Sequence, residues 1–158
     1  MTATTVDRLT TSRKIEDAYE DEAIIASGST ILVGAMCLFD TAGKLVNATD
    51  AASVRMAGIV YEILNDSGAI ISAGTGNAGG TVKAKFRWGH EELLNVDASI
   101  QSLANLNKIV TVFDNVTVGG SATTNDVAVG TLAQFISITD LTQAWIKIRS
   151  LSTTDVAA

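Results

Sequence analysis

The sequence predicts a mainly β fold: a small β-barrel or sandwich with one short helix, an extended N-terminal arm and an internal repeat. Three observations predict it. Short apolar stretches are separated by turns containing Gly and Asp, the pattern of strands that fold back on one another. Residues 81–88 alternate with period two, with Val82, Ala84, Phe86 and Trp88 on one face and Thr81, Lys83, Lys85 and Arg87 on the other. A strand–turn–strand–loop–strand stretch also occurs twice. The first copy runs from Ala35 through Phe39-Asp40 to a strand entered through Gly58, and the second runs from Lys108 through Phe113-Asp114 to a strand entered through Gly130.

Taken in order, residues 1–22 are polar and charged, with sparse apolar positions at Val6, Leu9, Ile15 and Tyr19. This spacing is too thin for a core and reads as an arm, either free or laid along a partner. A β domain over 23–150 follows. Residues 31–39 are apolar on both parities, so the strand is expected to be covered on both sides. Asp40-Thr-Ala-Gly43 is a turn: Asp bonds its own backbone and Gly takes a positive φ. A short return strand over 44–46, a loop of small residues and a strand over 55–63 complete the first copy. Gly58 within it marks a place where another backbone approaches closely. Residues 65–80 form a Gly/Ala/Ser loop. After the alternating strand, Asp97 reads as an N-cap, with Ile100, Leu103 and Leu106 as the apolar face of a helix over 98–106. The second copy then runs to 138, and a last strand covers 143–149. Residues 151–158 are a short polar tail. On this reading the two copies are three-strand units, with the Lys83 strand and the helix inserted between them.

Composition narrows the function. The 158 residues are 47% hydrophobic but only 18% charged, which leaves surface suited to partner contacts. The net charge of -6 and pI of about 4.6 oppose general nucleic-acid binding. No apolar run approaches the ~18 residues of a membrane helix, and no apolar leader opens the chain, so a protein made in a cytoplasm is expected. The lone Cys37 lies in an apolar strand and reads as a buried thiol.

The sequence carries no convincing catalytic motif. Gly74-Thr-Gly76-Asn-Ala-Gly79 has the letters of a dinucleotide loop, but a strand follows it where that chemistry needs a helix N-terminus. The single His90, beside Glu91 and Glu92, is expected in a surface turn, with neither a nucleophile nor a metal-ligand set around it. Asp40 and Asp114 read as turn formers rather than paired catalytic carboxylates. Asn47-Ala-Thr49 and Asn115-Val-Thr117 match a glycosylation sequon, which means nothing without a secretion signal. Lys83, Lys85 and Arg87 are either a solvated face or a contact for an acidic partner surface, such as a neighbouring subunit's carboxylates. The face carries no interleaved aromatic platform for nucleic acid.

The order of these blocks resembles the capsid cement, or head decoration, proteins of tailed bacteriophages. The likeness lies in "IASGSTILVGAMCLFDTAGKLVNATDAASVRMAGIVYEI", a Gly/Ala loop, "TVKAKFRWG", "NKIVTVFDNVTV" and "VAVGTLAQFISITDLTQAWIKI". It covers 25–148 and consists of glycine-punctuated strands, not a catalytic signature. It implies a barrel-like virion protein on the outer surface of the head, bound to the major capsid protein and to itself as a trimer, bridging capsomers against internal DNA pressure. It implies no enzyme activity, cofactor, nucleic-acid partner or membrane. Val6, Leu9, Ile15 and Tyr19 are then candidate coat contacts, and Lys83, Lys85 and Arg87 candidate interface residues. The alternatives are another virion part, such as a tail-tube or head-completion subunit, or a trimeric β-barrel nucleotide hydrolase.

Overall fold

In the computed structural model, residues 12–151 and 156–157 are described. Fourteen strands account for nearly all the regular structure: β1 (Ser12–Arg13), β2 (Tyr19–Ile24), β3 (Thr30–Leu32), β4 (Met36–Phe39), β5 (Leu45–Asn47), β6 (Arg55–Leu64) and β7 (Ile70–Ile71), then β8 (Ala73–Thr75), β9 (Lys83–Trp88), β10 (Glu91–Val96), β11 (Ile109–Val112), β12 (Thr117–Gly119), β13 (Ala128–Ser137) and β14 (Asp140–Ile148). The fold is mainly β, as the alternation and turn chemistry predict.

The repeat is larger than three strands. In the second half, β10, β14, β13, β11 and β12 form a ring, closed where β12 runs parallel to β10 and pairs Asn95 with Thr117 and Val96 with Val118. This is a closed five-strand barrel. In the first half, β2, β9, β6, β4 and β5 follow the same order, and a single parallel bridge from Ile25 to Leu45 brings the two ends together. In both units the strands come first, fifth, fourth, second and third around the ring. The alternating Lys83 strand is therefore the fifth strand of the first unit, not an insertion between units. The two Phe-Asp turns also match: the Asp40 carboxylate accepts from the Ala42 and Lys44 amides, and Asp114 accepts from the Val116 amide.

The punctuating glycines have one cause. A Cβ on Gly58 would lie 2.3 Å from the Arg87 carbonyl oxygen on β9, and one on Gly130 would lie 2.0 Å from the Lys147 carbonyl oxygen on β14. Each fourth strand crosses so close to its fifth strand that only a hydrogen fits. The residue following the fifth strand turns into positive φ in both units, at Gly89 (89°) and Arg149 (58°).

Two cores result. Ile25, Ile31, Cys37, Leu45, Val60, Ile63 and Phe86 fill the first barrel. Leu94, Val96, Val110, Leu132, Ile146 and their neighbours fill the second. The stretch 31–39, expected as one strand, is two: a turn at 33–35, where Gly34 takes a φ of 85°, separates β3 from β4, and Met36, Cys37 and Leu38 of β4 are buried on both faces. Cys37 points into the first barrel, while Met36 and Leu38 on the same strand join Met56 and Ile59 in the second cluster. The outer face of β4 and β6 is thus where the barrels pack together. Only Gly89 and His90 link β9 to β10, which ties the units closely.

Two further expectations are corrected. Residues 98–106 form no continuous helix but two 3-10 turns, over Ala98–Ile100 and Leu103–Asn105. Asp97 caps the first, as expected, and Ser102 breaks the run and caps the second. The three-residue spacing of Ile100, Leu103 and Leu106 is the period of a 3-10 turn, not of an α-helix. The described part of the arm is also not separate. Residues 12–22 contain β1, a 3-10 turn and most of β2, and the pairing partner of β2 is the basic strand β9. Residues 1–11 lie outside the described residues.

Candidate interaction surface

The basic strand lies between two acidic neighbours. In register, Lys85 faces Glu22 on β2 and Glu62 on β6, and Arg87 faces Glu20. Lys85 Nζ lies 2.9 Å from Glu62 and Lys83 Nζ lies 3.8 Å from Glu22. The Glu62 hydrogen bond and charge raise the pKa of the Lys85 ammonium. Arg87 stacks over the Tyr61 ring at 4.2 Å. The Tyr61 hydroxyl, which donates to Glu20 at 3.3 Å, has its pKa raised by burial and then by that carboxylate. Lys83 and Lys85 therefore meet acidic partners within the same chain, while Arg87 lies opposite Glu20 in register and packs on the Tyr61 ring. This explains why β2, with four acidic or aromatic exposed positions, is a strand at all: it completes the barrel by matching charge across the ladder.

Of the arm candidates, Ile15 sits in the 3-10 turn Ile15–Asp17 and is partly exposed, and Tyr19 begins β2 and is 67% exposed. Tyr19 stacks on Trp88 with centroids 5.9 Å apart. Val6 and Leu9 lie outside the described residues.

His90 is not in a surface turn. It is fully buried, its Nε2 lies 3.2 Å from a Glu92 carboxylate oxygen, and Glu91 and Glu92 are buried beside it. The reason is β1, which pairs Ser12 with Glu92 and Arg13 with Glu91. Ser12 hydrogen-bonds Glu92, Arg13 reaches Glu91 at 2.6 Å, and Lys14 reaches it at 3.1 Å. Burial alone would raise the pKa of Glu91. The bonds and charges of Lys14 and Arg13 outweigh it and hold the carboxyl below its usual range. Arg13 also lies 4.2 Å over the Trp145 ring. Sequence reasoning missed this cluster. The available signal was a basic pair, Arg13-Lys14, matching an acidic pair, Glu91-Glu92, far along the chain.

The remaining candidates resolve as structural. Burial pushes the Cys37 thiol up to about 12, so it stays protonated and inert at neutral pH. The Gly74–Gly79 letters fall on β8 and the loop before β9. There a Cβ on Gly76 would meet the Ala26 carbonyl oxygen at 2.0 Å, so that glycine serves backbone packing. Among the described residues, no group of three His, Cys, Asp or Glu side chains could hold a metal ion.

The surface has two features suited to contact. The first is apolar: Ile70, the first residue of β7, is 70% exposed, and Ile138, between β13 and β14, is 79% exposed. Both lie on the connection from fourth to fifth strand of their barrels. The second is a pair of hollows of about 640 and 580 Å³ that meet at Arg149. Compared with family models, curated proteins and solved structures, the chain matches none.

Proposed function

We propose that this protein is a virion structural protein that binds the outside of a phage head and cements neighbouring capsomers. The observation that carries the reading is the doubling of the barrel with an exposed isoleucine on the same connection of each unit, Ile70 and Ile138. A module with two apolar contact points, fused by a shared core, can engage two neighbouring subunits at once. Two weak contacts joined rigidly bind far more tightly than either alone, and many copies on a shell add their effects. Internal neutralisation of the basic strand fits the same role, since it leaves apolar rather than charged tips to form the contact.

The test is to mix the purified chain with expanded, undecorated heads of its cognate phage and to image them. Ordered density on the outer surface is expected. It should weaken sharply in the Ile70→Asp, Ile138→Asp double variant, with the circular dichroism spectrum unchanged. Heads that stay bare at micromolar protein would refute the proposal.

A further inference from the structure

Two arginines without an ion pair among the described residues, Arg55 and Arg149, share one hollow of this acidic chain. Arg55 begins β6 and Arg149 follows β14, and both line the hollow bounded by 51–56, 125–128 and Leu151. Arg149 also lines the neighbouring hollow, with Tyr19, Trp88 and Lys147. Each guanidinium has an aromatic backing: Arg55 lies 4.9 Å over the Phe39 ring and Arg149 lies 4.2 Å over Trp88. Arg149 donates one long bond, at 3.3 Å, to the Ala57 carbonyl oxygen. Among the described residues neither arginine has a carboxylate within ion-pair distance, whereas Arg13, Lys14, Lys83 and Lys85 all do. Three acids also line the two hollows. Asp126, in the second hollow, accepts from the Thr123 hydroxyl, and Glu16 and Asp17 line the first hollow. Burial and the like charge of Arg55 lower the pKa of Arg149.

Holding two like charges together beside a half-buried wall costs free energy that an anion between them would return. Planar guanidinium pairs fit a carboxylate in bidentate fashion. We propose that this groove is a docking site for an acidic polypeptide segment, with an Asp or Glu carboxylate of the partner seated between Arg55 and Arg149. A polypeptide suits the groove better than a nucleic acid for two reasons. Its rim carries exposed Tyr19 and Leu151, which favour apolar side chains on the incoming segment. Glu16, Asp17, Asp126 and the net charge of -6 oppose a continuous phosphate backbone. The site is independent of the virion reading: heads that stay undecorated would not alter the titration below.

Trp88 reports on the site directly, because Arg149 lies on its ring. The full chain carrying Trp145→Phe, which leaves Trp88 as its sole tryptophan, is titrated with hexaglutamate, hexaglutamine and a single-stranded DNA oligonucleotide, with calorimetry on the unsubstituted chain in parallel. Saturable binding is expected for hexaglutamate alone. Arg55→Gln should weaken it about tenfold, the size of one charge-assisted contact. Arg149→Lys, which keeps the charge but loses the fork, should weaken it severalfold. Raising the salt should also weaken binding. The proposal is overturned by no saturable signal in either measurement, by equal binding of hexaglutamine, by tighter binding of the oligonucleotide, or by Arg55→Gln binding as well as the unsubstituted chain.

Discussion

Substituting alanine at Gly58 or Gly130 tests whether close strand crossing holds both barrels in shape. The new Cβ would sit 2.3 Å from the Arg87 carbonyl oxygen in the first case and 2.0 Å from the Lys147 carbonyl oxygen in the second. A Cβ essentially never comes within 3.0 Å of such an atom, so the strands must separate by about 1 Å, and the obstacle is backbone that cannot swing aside. Overpacking of this kind costs ~3 kcal/mol, the upper end of the usual range, out of a total stability of ~5–15 kcal/mol. With a urea slope of ~2 kcal/mol/M, each substitution should lower the unfolding midpoint by ~1.5 M. Gly43→Ala is the control. Its φ is 77°, but nothing lies within 4 Å of the added Cβ, so only the ~1 kcal/mol of left-handed strain applies. Urea titration followed by far-UV circular dichroism measures all three. Midpoints for Gly58→Ala and Gly130→Ala within ~0.3 M of the unsubstituted chain, or no lower than that of Gly43→Ala, would refute the reasoning. A large loss at one glycine only would refute the equivalence of the two units.

Four further outcomes follow from the same contacts. Folding raises the Cys37 pKa from 9.0 to about 12, so its contribution is intact below pH 9 and is lost as pH rises from 9 towards 12. At pH 10 the chain should be ~1.4 kcal/mol less stable than at pH 8 through this group, and a Cys37→Ala comparison should lack that increment. Folding lowers the Glu91 pKa, so its contribution is present above the ordinary carboxylate pKa of 4.5 and is lost as pH falls below it. Glu91→Gln should cost ~2–3 kcal/mol at pH 7 and flatten the acid limb of stability measured between pH 6 and pH 3. Lys85→Met should leave the unfolding midpoint close to that of the unsubstituted chain, whereas Lys85→Glu, placed between Glu22 and Glu62, should lower it and recover in 0.5 M salt. Deleting residues 1–22 removes β1 and most of β2, so the cooperative thermal transition should disappear; retention of a sharp transition would show the first barrel to be dispensable.

The apolar parts of the fold were legible because their signals are local. Period two in 81–88, the Phe-Asp turns and the glycines at 58 and 130 each follow from one strand or one turn. The parts that were not legible depend on partners distant in sequence. Tyr19–Ile24 carries the letters YEDEAI, with no apolar alternation, and becomes a strand only because β9 supplies Lys83, Lys85 and Arg87 in register. His90, Glu91 and Glu92 looked solvated because their neutralisation comes from Ser12, Arg13 and Lys14, more than seventy residues away. In the 98–106 stretch the Asp97 cap and the burial of Ile100 were legible, but Leu103 and Leu106 are exposed, because three-residue spacing marks 3-10 turns rather than one α-helical face. The Arg55–Arg149 groove left no pattern in the sequence, since it joins the start of one barrel's fourth strand to the end of the other's fifth.

The attachment of β1 gives the molecule a mechanical asymmetry. Ser12 and Arg13 are pinned to β10, and at the far end of the chain Val156 bridges to Ile109 while the Ala157 amide bonds the Ile109 carbonyl. A pull applied between Ser12 and Ala157 is therefore borne first by the second barrel. The first barrel hangs in a loop of chain that carries no tension until those clasps part. In a force-extension trace, the clasps of the second barrel should rupture before the first barrel lengthens at all.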